Sequence, residues 1–542
     1  MKIKTLLSGL AALSLAGAGA AQPAPASPEF SAEAFRGHVT FLADDLLEGR
    51  EAGSRGYDIG ARYVATQFEA LGLRPGGPSG GWQQPIEFLR YRLRGTPTLT
   101  IAGQTFEHGR DIIMRPDPEP GPFTLEAPMV FAGYGIDLPG QGHDDYAGLD
   151  ARGKIVVVFD GYPRGVPSDV GAHLNADKAR MAAARGAVGM IILRTPAQMQ
   201  RRPWARMVSS SNRPGTTWIG ADGRPYSGGR LGFVAVAERS VAEAVFLRAP
   251  QALDSILRRI AADGAYRPRG FALGPTARVR REGASERFRS ANVLAVLPGT
   301  DPALANDYVL MMAHLDGLGI RDGGEGDRIR NGAMDNATGV ATLIEVARAM
   351  SRPGNRPRRP ILFAAVTAEE IGLLGAEYLA GNLPVEGRVI SVVNLDMPIL
   401  TYDFQDVIAF GAEHSTMGPI VARAAARMGV RVVPDPLPEQ GLFTRSDHYK
   451  FVRAGVPSVF LMTGFGGEGR QRFTSFLEHE YHSPGDDLSQ PFNWQAGARF
   501  AQLNYLIARE IADATEAPLW YSDSVFGGDR PRAARPASAQ AR

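Results

Sequence analysis

The second half of the chain alternates between short apolar segments typical of strands and longer amphipathic segments typical of helices. The predicted strands are residues 290–297, 308–313, 361–367, 389–395 and 458–462. The predicted helices are residues 338–350, 372–380, 417–428, 448–453 and 494–512. Strands that alternate with helices of this length form a mostly parallel sheet with helices on both faces. The predicted fold class is therefore α/β.

The first half of the chain contains two further parts. Apolar residues recur at helical spacing from residue 30 to about 73, and short strands with turn signals are predicted over residues 82–114. From about residue 121 to 274 the strands and helices can form a separate small core. We therefore assign residues 29–120 and 275–515 to one domain, and residues 121–274 to a β-rich unit inserted into it.

The two ends of the chain have compositions unlike the rest. Lys2 and Lys4 precede an apolar run that ends in small residues up to Ala21, which is the pattern of a secretory signal peptide over residues 1–21. The apolar run is shorter than the ~20 residues that a membrane span needs. We expect export to the periplasm or the extracellular space, with no membrane span. The Pro-, Ala- and Arg-rich end, residues 525–542, is predicted to be disordered.

Composition excludes several classes of site and partner. The chain has no cysteine, so disulfides, a thiol nucleophile and thiolate metal sites are excluded. Its 59 basic and 57 acidic residues leave a formal charge of +2, which gives no strong field to attract nucleic acid. Any metal ion must be held by His, Asp and Glu side chains.

Polar and charged side chains follow the ends of the predicted strands or lie in the loops between them. In chain order they are His314, Asp316, Asp335, Glu369, Glu370, Asp396, Tyr481 and His482. Ligands of parallel sheets gather at the carboxyl ends of the strands. Two imidazoles and several carboxylates at one such edge form a pocket suited to zinc or a related divalent ion.

Each of these residues also has an ordinary structural explanation. Asp335 could cap the helix that follows it, and Glu369 and Glu370 could complement the dipole of a first helical turn. A lone carboxylate such as Asp396 after a very apolar strand is costly to bury. All of these coincidences at the same end of one sheet are less probable than one site, so we favour a metal site.

The motifs around these residues resemble those of the secreted co-catalytic dinuclear zinc aminopeptidases, which are relatives of the glutamate carboxypeptidases. The matching segments are residues 313–316, 332–339, 367–372, 394–396, 445–451 and 481–484. The resemblance covers about residues 30–511 and implies a zinc exopeptidase fold. Many members carry a protease-associated domain as an insertion, and residues 121–274 are similar to it.

The resemblance implies two Zn²⁺ ions with one shared ligand. Asp335 would bridge the two ions with one oxygen on each. His314 and Asp396 would complete one ion, and Glu370 and His482 would complete the other. The resemblance also implies a cis peptide bond after Asp335.

The resemblance assigns roles to the remaining residues as well. Glu369 would be the general base, which takes a proton from a metal-bridging water and passes it to the leaving amine. Tyr481 would donate a hydrogen bond to the oxyanion. The carboxylate of Asp316 would orient His314 through its other ring nitrogen. The substrate pocket would include Ser446, Asp447 and His448.

The expected activity is hydrolysis of the N-terminal bond of peptides with free N-termini by a metallo-aminopeptidase. A dipeptidase or glutamate-carboxypeptidase-like enzyme is the alternative, and it would need cationic groups that hold a substrate carboxylate. A non-catalytic, receptor-like binding protein would have lost metal ligands. All five expected ligands and Glu369 are present, which favours an enzyme.

Overall fold

The computed structural model of the protein describes residues 29–536. The predicted signal peptide lies outside the described residues. The helices are α1 (Ala32–Leu42), α2 (Arg55–Ala70), α3 (Ser168–Ala176), α4 (Lys178–Ala184), α5 (Pro196–Arg201), α6 (Trp204–Val208), α7 (Arg239–Val245), α8 (Leu253–Ala262), α9 (Thr338–Ser351), α10 (Leu374–Gly381), α11 (Met417–Arg427), α12 (His448–Arg453), α13 (Gly469–Ser475) and α14 (Trp494–Asp513). None of these helices is long and apolar enough to span a membrane.

The strands complete the inventory of regular structure. They are β1 (Arg74–Pro75), β2 (Gln83–Ile101), β3 (Gln104–Glu107), β4 (Ile112–Met114), β5 (Gly121–Phe131), β6 (Asp137–Leu138), β7 (His143–Asp144), β8 (Ile155–Phe159), β9 (Gly189–Leu193), β10 (Gly215–Trp218), β11 (Val234–Ala237), β12 (Phe271–Leu297), β13 (Asp307–His314), β14 (Ile361–Val366), β15 (Arg388–Leu395), β16 (Asp406–Phe410), β17 (Arg431–Val433), β18 (Ser458–Thr463), β19 (Trp520–Tyr521) and β20 (Arg532–Ala533).

One sheet extends through both parts of the molecule. Its main path runs β17-β16-β18-β15-β13-β14-β12-β5-β8-β9-β11-β4. The neighbours β14, β13, β15 and β18 are parallel, and β5, β8, β9 and β11 form a second parallel group. Every residue of β14 is buried, because helices cover both faces of the sheet. The predicted α/β class with a mostly parallel sheet is confirmed.

Two long antiparallel strands join these parallel groups. β2 has 19 residues and β12 has 27, and they pair from Ile101 opposite Ala277 to Gln83 opposite Val293. The prediction of short strands over residues 82–114 is therefore wrong for residues 83–101, which form one long strand, whereas β3 and β4 are short as predicted. Gly95, which resembles a turn signal in the sequence, lies within β2 at a φ of 59°.

Two large apolar cores pack against the two parts of the sheet. The first contains residues of α1, α2, α9 and α14 beside the strands from β13 to β18. The second contains the strands and helices of residues 121–274, but also Leu99, Phe106 and Met114. Residues from the end of β2 through β4 therefore pack with the inserted unit, although the sequence had assigned them to the first domain. The reason is that β2 follows β12 into this unit.

The end of the chain folds back onto the molecule. Trp520 and Phe526 are buried, and β19 pairs with β20. The predicted disorder from residue 525 is therefore wrong for residues 525–536, because aromatic side chains anchor an otherwise polar segment. Residues 537–542 lie outside the described part of the chain.

Replacement of Phe526 by alanine should destabilise the fold. Its ring packs 5.1 Å from the ring of His173, 4.8 Å from that of His414 and 5.3 Å from that of Phe443. We expect a loss of about 3–5 kcal/mol in the free energy of unfolding, measured by urea denaturation. Leu46→Ala is the control, since Leu46 is 81% exposed and should change that free energy by less than ~0.5 kcal/mol. Equal effects of the two substitutions would contradict the anchoring role.

Candidate metal centre

The candidate centre lies at the carboxyl ends of the central parallel strands. β13 ends at His314, β15 ends one residue before Asp396, and Glu370 lies in the turn that follows β14. Because these strands are parallel neighbours, the side chains at their ends meet at one edge of the sheet. Asp335 lies directly before α9, and His482 follows α13.

Asp335 lies between the two imidazoles. Its Oδ1 is 3.2 Å from Nε2 of His314, and its Oδ2 is 3.3 Å from Nε2 of His482. The same nitrogen of His314 is 3.2 Å from Oδ1 of Asp396, and that of His482 is 3.3 Å from Oε2 of Glu370. The structure thus brings the five predicted ligands together as two groups of three that share Asp335.

The loop that carries Asp335 has a backbone that only particular residues permit. Gly332 has a φ of 62°, and a Cβ there would lie 2.3 Å from the carbonyl oxygen of Asp335. The peptide bond between Asp335 and Asn336 is cis, as the resemblance implies. The side-chain amide of Asn336 donates to the carbonyl oxygen of Leu395 (2.9 Å), so the loop is held against the end of β15.

The centre carries more negative than positive charge. Burial and the carboxylate of Asp335 raise the pKa of Glu370 well above its usual value. Burial acts to lower the pKa of His314, but the carboxylates of Asp396 and Glu369 raise it well above its usual value. Carboxylate oxygens and imidazole nitrogens are ligands of zinc and related divalent cations, which would supply the missing positive charge. The donor set therefore fits divalent metal ions.

Glu369 and Tyr481 line the cavity beside the centre without belonging to either group of three. Burial raises the pKa of Glu369 well above its usual value, and the carboxylate of Asp396 acts in the same direction. Burial also raises the pKa of Tyr481, so its hydroxyl stays protonated and can donate a hydrogen bond. Arg445 donates to this hydroxyl oxygen at 3.3 Å, and the Tyr481 ring stacks on His482.

The structure corrects the role expected for Asp316. Nδ1 of His314 is 3.0 Å from the backbone carbonyl oxygen of Asp316 and 4.0 Å from its carboxylate. The carboxylate instead accepts hydrogen bonds from the backbone N–H groups of Glu369 (3.1 Å) and Glu370 (3.3 Å). Asp316 thus orients His314 through its backbone, while its side chain holds the turn that presents the two glutamates.

The three residues expected in the substrate pocket separate into two kinds. Ser446 lines the cavity, accepts from Nδ2 of Asn394 at 2.6 Å and donates to Oδ2 of Asp396. Asp447 and His448 have no exposed surface, so the prediction that they line the pocket is corrected. They lie where α12 begins, which directs them into the interior, and burial lowers the pKa of His448 to about 3.

Asp486 is a site residue that the sequence analysis missed. Its Oδ1 accepts from the N–H of Met334 (2.7 Å) and its Oδ2 from the N–H of Asp335 (3.0 Å). It therefore fixes the backbone at Asp335. The only signal was a carboxylate four residues beyond His482, in a loop whose polar residues are typical of turns.

Arg50 is a second residue that the sequence analysis missed, and it holds the backbone of two loops at the centre. Its guanidinium is buried and donates to the backbone carbonyl oxygens of Leu315 (2.9 Å), Asn331 (2.6 Å) and Gly332 (3.0 Å). Burial lowers its pKa to about 10, while the carboxylates of Asp486 and Asp316 act to raise it. No local pattern predicts these three contacts, because Arg50 lies more than 260 positions earlier in the chain than Leu315, Asn331 and Gly332.

A cleft of about 680 Å³ separates the centre from the inserted unit. Glu369, Glu370, Tyr481 and His482 line one side, and residues 175–179 of the inserted unit line the other. The inserted unit therefore forms a roof over the open side of the centre.

Comparisons with known proteins give matches for both parts of the chain. Residues 292–508 match the model of Peptidase family M28, and this range contains all five predicted metal ligands. Residues 125–223 match the model of the PA domain, inside the range predicted for the inserted unit. The chain is similar in fold to a solved aminopeptidase from Aneurinibacillus sp. strain AM-1, with a TM-score of 0.50 and 21% identity over 94% of this chain and 98% of that one.

Curated relatives match over shorter stretches. Leupeptin-inactivating enzyme 1 of Streptomyces exfoliatus is 30% identical over 215 residues, which are 36% of this chain and 43% of that protein. Leucine aminopeptidase 2 of Trichophyton equinum is 29% identical over 241 residues, which are 41% of this chain and 44% of that protein. The chain thus spans less than half the length of these curated relatives.

The pKa of Asp486 predicts how the stability of the metal-free protein depends on pH. Burial raises this pKa from 3.8 to about 7, so the folded protein keeps a proton that the unfolded chain releases above about pH 4. The stabilisation from this proton is fully present below pH 4 and is lost as the pH rises to 7. We expect the chelated wild type to lose stability relative to Asp486→Asn over that range, by up to about 1.4 kcal/mol per pH unit. Urea denaturation at four pH values tests this, and parallel curves would contradict it.

Proposed function

Because the chain carries a domain of peptidase family M28 with an inserted PA domain, we propose that it is a zinc-dependent exopeptidase that hydrolyses the N-terminal bond of peptides with free N-termini. The observation that carries the proposal is the geometry of Asp335, whose two oxygens each face a different imidazole and carboxylate. The names of two relatives, an aminopeptidase and a leupeptin-inactivating enzyme, agree with an activity on peptides.

The two groups of three would hold two zinc ions. His314, Asp335 and Asp396 would hold one, and Asp335, Glu370 and His482 would hold the other. Bound there, zinc would polarise the scissile carbonyl, lower the pKa of the attacking water and stabilise the negative charge of the transition state.

Glu369 is proposed as the general base and acid. Its carboxylate would accept a proton from the attacking water and give it to the amine nitrogen as the peptide bond breaks. Burial raises its pKa, and a raised pKa makes the carboxylate a stronger base toward the attacking water. Asp316 supports this role because it holds the backbone N–H of Glu369.

Tyr481 is proposed to stabilise the oxyanion that forms on the former carbonyl. Its hydroxyl lines the same cavity as Glu369 and is protonated, so it can donate to that oxygen. The hydrogen bond from Arg445 to the same hydroxyl polarises it further.

A dipeptidase or glutamate-carboxypeptidase-like activity is the second candidate. The observation in its favour is that Arg115 and Arg445 line the cleft, and neither makes an ion pair with another residue of the described range 29–536. Either guanidinium could hold the carboxylate of a short peptide. We also propose export through the signal-like residues 1–21, so the substrates would be periplasmic or extracellular peptides.

A substrate panel should separate the two activities. We expect the protein to release p-nitroaniline from amino-acid p-nitroanilides with a free amino group, and to lose this activity after treatment with a chelator. N-blocked peptides with a free carboxylate are the matched comparison. Cleavage of the blocked peptides alone would overturn the aminopeptidase proposal and support the second candidate.

The two adjacent glutamates provide a matched pair of variants. Glu369→Gln should keep the zinc content of the wild type and lower kcat by about 10²–10⁴-fold, because the residue moves protons and binds no ion. Glu370→Gln should lose zinc, because it removes a ligand. Metal analysis of the purified variants and turnover of an anilide check both expectations. Loss of zinc from Glu369→Gln alone would show that the two assignments are reversed.

A further inference from the structure

The wall of the cavity that carries Ser446 continues directly into α12, and α12 packs against α3 of the inserted unit. Nδ1 of His173 on α3 is 2.8 Å from the hydroxyl oxygen of Tyr449 on α12. Burial lowers the pKa of His173 and raises that of Tyr449. Both are therefore neutral near pH 7, and they share one hydrogen bond whose donor is set by the tautomer of the imidazole. Tyr449 is buried and His173 is partly buried, and removal from bulk water strengthens a hydrogen bond.

A second contact lies one helical turn further along α12. Arg453 is 3.3 Å from Oδ1 of Asp177, which is 3% exposed and follows α3 directly. Tyr449 and Arg453 are four residues apart, so they lie on the same face of α12. The inserted unit therefore holds this helix at two points along one face.

The C-terminal segment fixes the orientation of the His173 ring. The ring of Phe526 packs edge-on against the His173 ring, with 5.1 Å between the ring centres. The Tyr449 ring packs against the same His173 ring at 5.8 Å. A ring held by two aromatic neighbours has little freedom to rotate away from its hydrogen bond. Phe526 and Tyr449 together therefore hold the His173 side chain at the contact between α3 and α12.

The inserted unit also reaches the opposite wall. Nε1 of Trp218 donates to Glu377 on α10 at 3.4 Å, and Glu377 accepts from Lys450 on α12 at 2.9 Å. α10 follows the turn that presents Glu369 and Glu370. The two helices that flank the cavity are therefore linked to each other and to the same inserted unit.

From α12 the contact continues to the proposed metal ligand Asp396. Ser446 lies two residues before α12 and donates to Oδ2 of Asp396, whose Oδ1 faces His314. We propose that His173 is a positioning residue which, through Tyr449 and Ser446, sets the orientation of the Asp396 carboxylate. The inserted unit then contributes to turnover as well as to access. This inference rests on the proposed function.

Four variants and one control test the inference. The variants are His173→Ala, Tyr449→Phe, their double mutant and His173→Gln, whose side-chain amide can still hydrogen-bond to the tyrosine hydroxyl. The control is His108→Ala, because His108 is likewise partly buried but hydrogen-bonds to Asn212 and the N–H of Met114, away from α12. Each protein is loaded with zinc and assayed on an amino-acid p-nitroanilide for kcat and KM. Hydrogen exchange over residues 442–453 and zinc retention against a chelator are measured on the same samples.

We expect each single variant to lower kcat about fivefold with KM unchanged, which is the size of one lost hydrogen bond. The double mutant should be no slower than the single variants, and His173→Gln should recover most of the loss. Exchange over residues 442–453 should be faster in His173→Ala than in the wild type, and His108→Ala should change neither kcat nor this exchange.

The inference is overturned if His173→Ala matches His108→Ala in kcat, whatever its effect on exchange, since α12 would then be braced without consequence for turnover. A wild type that cleaves no anilide would instead refute the proposed function. In that case exchange and zinc retention decide: faster exchange with weaker zinc retention in His173→Ala supports the positioning role, and unchanged values overturn it.

Discussion

The concentration of carboxylates at one buried end of the sheet is the constraint on which the surrounding structure depends. Asp335, Glu370 and Asp396 lie within hydrogen-bonding range of only two imidazoles, so carboxylates outnumber basic side chains at this end of the sheet. The backbone around them is held accordingly. Arg50 and Asp486 secure the loop before Asp335, and Asp316 secures the turn before Glu370. These three buried side chains thus hold in place the backbone that brings mutually repelling carboxylates together.

Much of the candidate site could be predicted from the sequence because it depends on strand ends. An apolar run followed by a polar residue identifies a position such as His314 or Asp396, and parallel neighbours bring such positions together. Residues that support the site from elsewhere leave no such pattern. Arg50 donates to backbone carbonyl oxygens that are remote in sequence. Whether the His448 side chain points into the interior depends on the residue at which α12 begins.

The fold could be predicted to a similar extent, and its prediction failed in places for a related reason. Alternation of strands and helices indicates the parallel groups, since their periodicity is local. The length of β2 and β12 depends on their pairing with each other across almost 200 positions, and Gly95 within β2 concealed it. Whether the end of the chain is ordered also depends on contacts remote in sequence, because Phe526 packs against His173 and Phe443.

The long pairing of β2 with β12, whose register shifts once between Arg280 and Glu282, has a consequence for how this protein could change over evolution. An insertion joined by two flexible linkers can be lost and leave an intact domain behind. Here, removal of residues 121–274 would take away β5, the strand paired along one side of β12, and the apolar partners of Leu99 and Met114. The remainder would expose an unpaired, apolar sheet edge of the kind that promotes aggregation. The junction is therefore part of a shared β-ladder, and a viable descendant would have to shorten β2 and β12 at the same time as it lost the insertion.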